Sequence, residues 1–262
     1  MLFFFKKSKI VLDAFTCIPH VHELFKIRKA MTYFPESVKA LPSAVDSLDS
    51  ERHLIPNGMT TLKRCNGLVD LYKQGFIIPL WTNVRFFPKS YSLNQCNTVV
   101  SLDKPFEAQE HPRKQYSTLY ENYFHTKLLS PWVFKENTGI KWLFTPASWN
   151  IEQYNKQNDV IILNGCLDYK NNNATHVNLF VKKNVEYIEL PSGMPLIHTI
   201  PLSEKQVILK QHVVSEQEWL TKSTMYAYDG GDNRLRNWLH KKREAEKLDK
   251  KEATCPFGFS KK

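Results

Sequence analysis

The stretch Phe76–Phe86, with the sequence FIIPLWTNVRF, decides the fold of this chain. After Pro79 its side chains change character with a period of two, which is the pattern of a strand whose two faces meet different surroundings. Short runs of this kind recur as far as Val214, separated by turn-forming Asn, Pro and Gly residues, with no helical period between them. We therefore predict an antiparallel β-sandwich or jelly-roll-like body.

The other predicted strands are short, rich in β-branched and aromatic residues, and closely spaced. They are Lys9–Thr16, Asn97–Leu102, Lys127–Phe134, Ile140–Thr145, Val160–Leu167, His176–Val181, Val185–Leu190, Leu196–Leu202 and Gln206–Val214. Hairpin-like gaps between neighbouring strands favour antiparallel pairing over the long crossovers that parallel strands need.

Two short helices are predicted before the strand-rich region, near residues 22–31 and 62–74. In the second, apolar residues recur at helical spacing, and Gly75 follows where a helix C-terminus favours a left-handed residue. The polar stretch Pro42–Asn57, with its serines and acids, is predicted to be a connector between the two helices.

A helical extension is predicted to follow the body. Ser215–Glu218 resembles a capping box, and a last helix is expected from Arg234 to about Lys251, after Gly230-Gly231. The chain is thus divided into a β-rich body, residues 1–214, and a basic helical extension, residues 215–262.

The net charge of +10 is unevenly distributed. From Arg234 onward there are ten basic residues and four acids, a net of +6, which leaves +4 for the preceding residues. The residues that would contact nucleic acid or an acidic protein are Arg234, Arg236, Lys241, Lys242 and Arg243. The alternative is a solvated helix whose apolar stripe packs on the body.

Composition and cysteine usage suit a folded protein of a reducing compartment. The chain has 262 residues, of which 42% are hydrophobic, enough for one large β domain. Its five cysteines are scattered, so reduced thiols are expected, and Cys65 and Cys166 are predicted to be small core residues. The apolar run Met1–Phe5 is too short for a signal peptide, so we expect neither export by this route nor membrane contact.

The segment Cys17–Glu23 contains the one candidate metal site. His20 and His22 are two residues apart and would point the same way on a strand, as in a cupin-type His-x-His pair. However, Glu23 does not stand where a cupin carboxylate would, and Pro19 favours a loop. The alternative is a polar, partly exposed loop that binds no metal.

Common catalytic motifs are absent from the sequence: GxSxG, HExxH, GxxxxGK[ST] and a GxGxxG after a strand. No catalytic residue and no cofactor are therefore predicted. His176 and Asn178 share one face of a predicted strand, and that face either lines a pocket or is solvated.

Several short motifs occur in an order that resembles an uncharacterised protein family of T4-like tailed phages, notably those of marine bacteria, and of some bacteria. These motifs are Val11–Thr16, Thr61–Cys65, Gly75–Leu80, Glu110–Pro112, Ser130–Trp132, Ser192–Pro195 and Ile200–Pro201. The chain departs from the family at Phe34–Ser37, where a Trp pair after Pro is expected. The family carries no established activity, so the resemblance supplies no catalytic residues. It implies a phage-like origin, with the host cytoplasm or the virion as the expected location.

The leading functional hypothesis is a non-enzymatic structural or interaction protein of the virion or infected cell. Its expected partners are other protein subunits, either copies of itself or other phage proteins. One alternative is a cupin-like metal-dependent enzyme that uses His20 and His22. The other is a nucleic-acid-binding accessory protein that uses the basic tail.

Overall fold

A computed structural model describes residues 9–49, 51–87, 99–100, 108–110, 121–147, 159–173 and 175–223. The protein is mostly β, as predicted. The strands of this part are β1 (Ile10–Thr16), β2 (Arg28–Lys29), β3 (Ala44–Leu48), β4 (Leu54–Thr60), β5 (Phe76–Pro79), β6 (Val84–Phe86), β7 (Val99–Val100), β8 (Ala108–Glu110), β9 (Tyr123–Leu128), β10 (Val133–Lys135), β11 (Trp142–Pro146), β12 (Val160–Ile162), β13 (Gly165–Leu167), β14 (Val177–Lys182), β15 (Ile188–Leu190), β16 (Pro195–Pro201) and β17 (Val207–Val213). The helices are α1 (Pro19–Leu24), α2 (Glu36–Ala40), α3 (Asn66–Lys73) and α4 (Glu216–Ser223), with 3-10 turns at Ala30–Tyr33 and Leu62–Arg64.

Apart from β3 and β4, the strands of the body form four sheets, here called the body sheets. One has five strands in the order β13-β11-β16-β5-β2, and another has four in the order β12-β14-β9-β8. Two sheets of three strands, β10-β1-β17 and β15-β6-β7, complete the body. The hairpin β3-β4 is a separate sheet that pairs with no other described strand. None of these sheets closes into a barrel.

Strand β16 is the centre of the largest sheet. Every residue of Pro195–Pro201 is buried, and the strand pairs with β11 on one side and β5 on the other. The turn before it contains Gly193 at a φ of +80°, a conformation that favours glycine. The strand–turn–strand prediction for this part of the sequence is therefore confirmed.

All four body sheets contribute to one main hydrophobic core. Its largest fully buried side chains include Trp132, Trp142 and Tyr169. The Tyr169 ring lies 4.7 Å from the ring of Phe134, and its hydroxyl is hydrogen-bonded to Thr175 Oγ1 at 2.7 Å. Buried aromatic rings of this size supply much of the hydrophobic stabilisation of a β domain.

The pairing of β1 with β17 is the exception to the antiparallel prediction. These strands run parallel, from Ile10 opposite Val207 to Thr16 opposite Val213, whereas the other pairs among the described strands are antiparallel. The intervening body forms the long crossover that a parallel pair requires. Hairpin spacing between neighbouring strands cannot reveal a pairing between strands so distant in sequence.

The predicted N-terminal helices are confirmed in part. The first helix is α1, which ends at Leu24, and a 3-10 turn begins at Ala30, so the prediction of helix for residues 22–31 is wrong for residues 25–29. Arg28 and Lys29 instead pair with β5, which supplies backbone partners that a longer helix would remove. The second prediction corresponds to α3, with Gly75 at a φ of +69° after it.

Other strand boundaries also differ from the prediction. Phe76–Phe86 contains two strands, β5 and β6, which belong to different sheets. Leu80 and Trp81 between them are both buried, so the predicted period of two is present only in β6. Lys127–Phe134 contains the end of β9 and the start of β10, and Val160–Leu167 contains both β12 and β13. The stretch Pro42–Asn57, predicted to be a polar connector, contains β3 and the start of β4. Its polar residues belong to strands that are exposed to solvent, and for this reason the polar composition did not indicate strands.

At its C-terminal end the described chain agrees with the prediction of helix after Ser215. Glu218 N donates to Ser215 Oγ at 3.2 Å, which is the N-cap contact of α4. The predicted last helix, Arg234 to about Lys251, lies outside the described residues. Cys65 and Cys166 are exposed, so their prediction as core residues is wrong.

Candidate functional site

The two predicted metal ligands lie on α1, not on a strand. His20 is exposed, and His22 is half-buried with its ring 6.4 Å from that of Trp132. Residues two apart on a helix point to different sides, so the shared direction on which the metal hypothesis depended is not present. Within the described residues no group of three or more His, Cys, Asp or Glu side chains is arranged to hold a metal. Metal binding by His20 and His22 stays a prediction.

The predicted nucleic-acid contacts belong to the C-terminal tail. Arg234, Arg236, Lys241, Lys242 and Arg243 all lie outside the described residues. Binding of nucleic acid or of an acidic protein through them stays a prediction.

A feature that the sequence did not reveal is the hairpin formed by β3 and β4, here called the arm (residues 43–61). Its base is closed by a hydrogen bond from Thr61 N to Ser43 O at 3.3 Å. At its tip, Asp49 Oδ1 accepts hydrogen bonds from Glu51 N at 2.9 Å and His53 N at 2.8 Å. The arm is therefore a defined structural element with its own turn chemistry.

A bulge in the arm depends on a glycine. The register between the strands shifts between Val45 and Ser47, and Asn57 opposite this shift has a φ of +53°. A Cβ at Gly58 would stand 2.2 Å from Ser47 Oγ. Only glycine fits this close approach without displacing Ser47, so the sequence specifies the shape of the arm.

The arm exposes large apolar side chains to solvent. The cross-strand partners Leu48 and Leu54 are 62% and 63% exposed, and Met59, opposite Val45, is 58% exposed. No residue of β4 is buried. An isolated two-stranded hairpin is marginally stable in water, and contiguous exposed apolar residues mark interaction surfaces. This arrangement suits burial against another protein.

The arm is also acidic within a basic chain. Asp46, Asp49 and Glu51 outnumber Arg52, which gives the arm a net charge of −2. Because the whole chain carries +10, the remaining residues carry +12. The arm therefore has a charge that favours contact with positively charged surfaces.

A lysine-lined cleft is one such surface. It has a volume of about 360 Å³ and lies between β2, the end of α3 and the loop from β16 to β17. Its cationic residues are Lys29, Lys73 and Lys205, against the single carboxylate of Glu204. Lys73 is also paired with Asp70 at 3.0 Å. The cleft has a net positive charge and can attract an acidic group.

A second cluster, here called the polar face, lies on the four-stranded sheet. It consists of His125 and Lys127 on β9, Asn178 on β14, and His176 just before β14. Asn178 is the cross-strand partner of Lys127. The alternate residues Phe124 and Leu128 are buried in the core, so His125 and Lys127 lie on the outer side of the sheet.

Hydrogen bonding and ring packing fix the positions of the His125 and Asn178 side chains in the polar face. His125 Nε2 donates to Asn178 Oδ1 at 3.2 Å, and the His125 ring lies 5.2 Å from that of Phe180. Burial lowers the pKa of Lys127. Burial, together with the charge of Lys127, lowers the pKa of His176 to about 4. Perturbed amine and imidazole groups that lie close together characterise binding and catalytic sites.

The sequence indicated half of the polar face. His176 and Asn178 are expected to share a sheet face. Asn178 lies on β14, whereas His176 precedes the strand and belongs to the cluster because the charge of Lys127 acts on it. His125 and Lys127 were missed because only the pairing of β9 with β14 brings them there. A strand starting at Tyr123 rather than Lys127 would have placed both on one face.

The comparisons with known proteins leave the chain without an assigned family. The sequence matches no protein-family model, and no curated protein is significantly similar to it. Within the described ranges, no helix combines the length and apolar character needed to cross a membrane.

Proposed function

We propose that this chain is a non-enzymatic assembly protein whose arm docks on a second copy of the same chain. The observation that carries the proposal is the arm, a closed hairpin with exposed leucine and methionine side chains on a strand without a buried residue. Leaving these side chains in water forgoes hydrophobic stabilisation of about 25 cal/mol for each Å² that a partner would cover.

Charge favours a second copy as the occupant of this surface. An arm of net charge −2 is complementary to a chain whose other residues carry +12. The cleft lined by Lys29, Lys73 and Lys205 can receive the acidic tip of the arm. The exposed apolar side chains of β3 and β4 would then cover the surface beside the cleft. Such complementarity steers association and fixes the register of an interface.

The wider setting is part of the same proposal. Resemblance to the uncharacterised phage family supports a role in the virion or the infected cell of a tailed phage. For the body we propose a jelly-roll-like sandwich, which is supported by a core shared among all four body sheets. Detection of the protein in purified phage particles would test the virion role, and its absence from them would contradict it.

Sedimentation of the full-length protein from low to high micromolar concentration tests self-association. We expect a concentration-dependent oligomer that Leu48→Ser combined with Leu54→Ser converts to a monomer. The matched control combines Leu24→Ser with Leu220→Ser, since these leucines are also exposed but lie on α1 and α4. A native protein that stays monomeric throughout, or a control that dissociates equally, contradicts docking of the arm on a second copy.

A charge-reversal pair tests the acceptor surface. Glu51→Lys at the tip and Lys205→Glu in the cleft should each weaken self-association, and a mixture of the two variants should regain it through restored complementarity. If the mixture stays dissociated, the cleft is not the acceptor.

A further inference from the structure

A half-buried lysine stands at the centre of the polar face. Lys127 lies opposite Asn178 in the strand register, and its charge acts on His176. Among the described residues no acid forms an ion pair with Lys127, and burial alone accounts for the lowering of its pKa. Removing an ammonium group from water costs free energy, which a bound anion would offset.

Asn178 adds a hydrogen-bond donor beside that charge. Its Oδ1 accepts from His125 Nε2, so the amide is oriented with Nδ2 as its remaining donor. Directly opposed residues of antiparallel strands have Cβ atoms about 5 Å apart. At that spacing, Lys127 Nζ and Asn178 Nδ2 can both reach one oxyanion.

The surroundings strengthen electrostatic attraction at this point. Phe180 on the same strand as Asn178 is buried and packs against His125. Lys127 and Asn178 are half-buried, so solvent still reaches them. A partly desolvated charge attracts an anion more strongly than a fully solvated surface lysine does.

We infer that the polar face binds the oxyanion group of a small ligand, a carboxylate or a phosphate, between Lys127 Nζ and Asn178 Nδ2. His176 lines the site, and His125 holds the amide of Asn178 in its donating orientation. The lowered pKa values of Lys127 and His176 agree with a site that is short of negative charge. The polar face and the arm belong to different sheets, so anion binding at the polar face does not require self-association.

Titration of the full-length protein with inorganic phosphate, and separately with acetate, tests this site. The readout is the ring-proton NMR signals of His125 and His176, with sodium chloride at equal ionic strength as the reference. We expect saturable shifts of both rings with at least one of the two anions, and the stronger binder identifies the ligand class. Shifts that grow without saturation, or that chloride reproduces, overturn the inference.

Variants locate the binding. Lys127→Met keeps the aliphatic stem, and Asn178→Ala removes the donor; each should weaken anion binding at least tenfold. Lys182→Met is the matched control. Lys182 lies on β14, the strand of Asn178, but its ammonium group is paired with Asp159 at 3.4 Å. Equal weakening by the control contradicts the site. Should Lys127→Met fail to fold, the histidine shifts of the native protein decide the question.

Discussion

The side chain of Gln211 forms two hydrogen bonds with the backbone of Ile27. Gln211 Oε1 accepts from Ile27 N at 2.9 Å, and its Nε2 donates to Ile27 O at 3.0 Å. The carboxamide thus supplies both backbone hydrogen bonds that a neighbouring strand would otherwise give to the buried Ile27. It also connects β17 to the segment that follows α1. It satisfies backbone groups that would otherwise lack partners in a partly buried position.

Gln211→Ala should therefore destabilise the protein by about 1–3 kcal/mol, because two backbone groups lose their partners. Urea unfolding followed by tryptophan fluorescence measures the change in the free energy of unfolding. Gln206→Ala is the control, since the Gln206 side chain is exposed, and it should change stability by less than about 0.5 kcal/mol. Equal effects of the two substitutions would show that the contact with Ile27 does not stabilise the fold.

Two glycines of neighbouring elements should respond in opposite ways to alanine. At Gly75, with a φ of +69°, an added Cβ would stand 2.0 Å from the backbone oxygen of Thr199. At Gly67 in α3, a Cβ would meet nothing within 4 Å. Gly75→Ala should cost about 2 kcal/mol or more, whereas Gly67→Ala should stabilise by about 0.5–1 kcal/mol.

Thermal and urea unfolding of both alanine variants measure these changes. A Gly75→Ala variant as stable as the native protein would mean that the backbone near Thr199 can yield without cost.

Features specified by local sequence were predictable. The opening strand and the left-handed Gly75 each follow from the residues at that place, and the structure contains both. Ser215 as the cap of α4 is of the same kind. In each of these cases, the physical cause lies within a few residues of its effect.

Features that depend on distant residues were not predictable from one sequence. The parallel pairing of β1 with β17 joins elements from opposite ends of the body, and no local pattern encodes that direction. The polar face exists only because the register places Lys127 opposite Asn178. The strands of the arm were not predicted because they are exposed to solvent. Strands outside the core need not alternate polar and apolar residues, so their sequence lacks the usual pattern.

Asp168 should make stability sensitive to acid. Burial raises the pKa of its carboxyl, but hydrogen bonds from Lys141 Nζ at 2.9 Å and Asn171 N at 2.8 Å outweigh burial and hold the pKa below its usual value of 3.8. A depressed carboxyl pKa stabilises the fold above the unfolded value, and that contribution is lost as the pH falls through the folded pKa.

Asp168→Asn should therefore cost about 1 kcal/mol at neutral pH and flatten the loss of stability below about pH 4. Unfolding free energies measured between neutral pH and pH 3 check this expectation. Parallel pH profiles for the native and Asp168→Asn proteins would show that the carboxylate contributes nothing through its charge.

His176 should weaken the fold at a higher pH than Asp168 does. Burial and the nearby charge of Lys127 lower its pKa from 6.5 to about 4. Below pH 6.5 the unfolded chain binds a proton that the folded chain does not, so stability falls as the pH decreases from 6.5 towards 4. The expected loss over this range is on the order of 2–3 kcal/mol from this residue alone.

Two measurements test this behaviour. In NMR titration of the folded protein, the His176 ring should remain neutral at pH 6 and titrate near the lowered value. In urea unfolding, His176→Asn should reduce the decrease in stability between neutral pH and pH 4.5, because asparagine takes up no proton in the unfolded state. A His176 ring that titrates close to 6.5 in the folded protein would contradict both expectations, and it would also remove the desolvated character that we assign to the polar face.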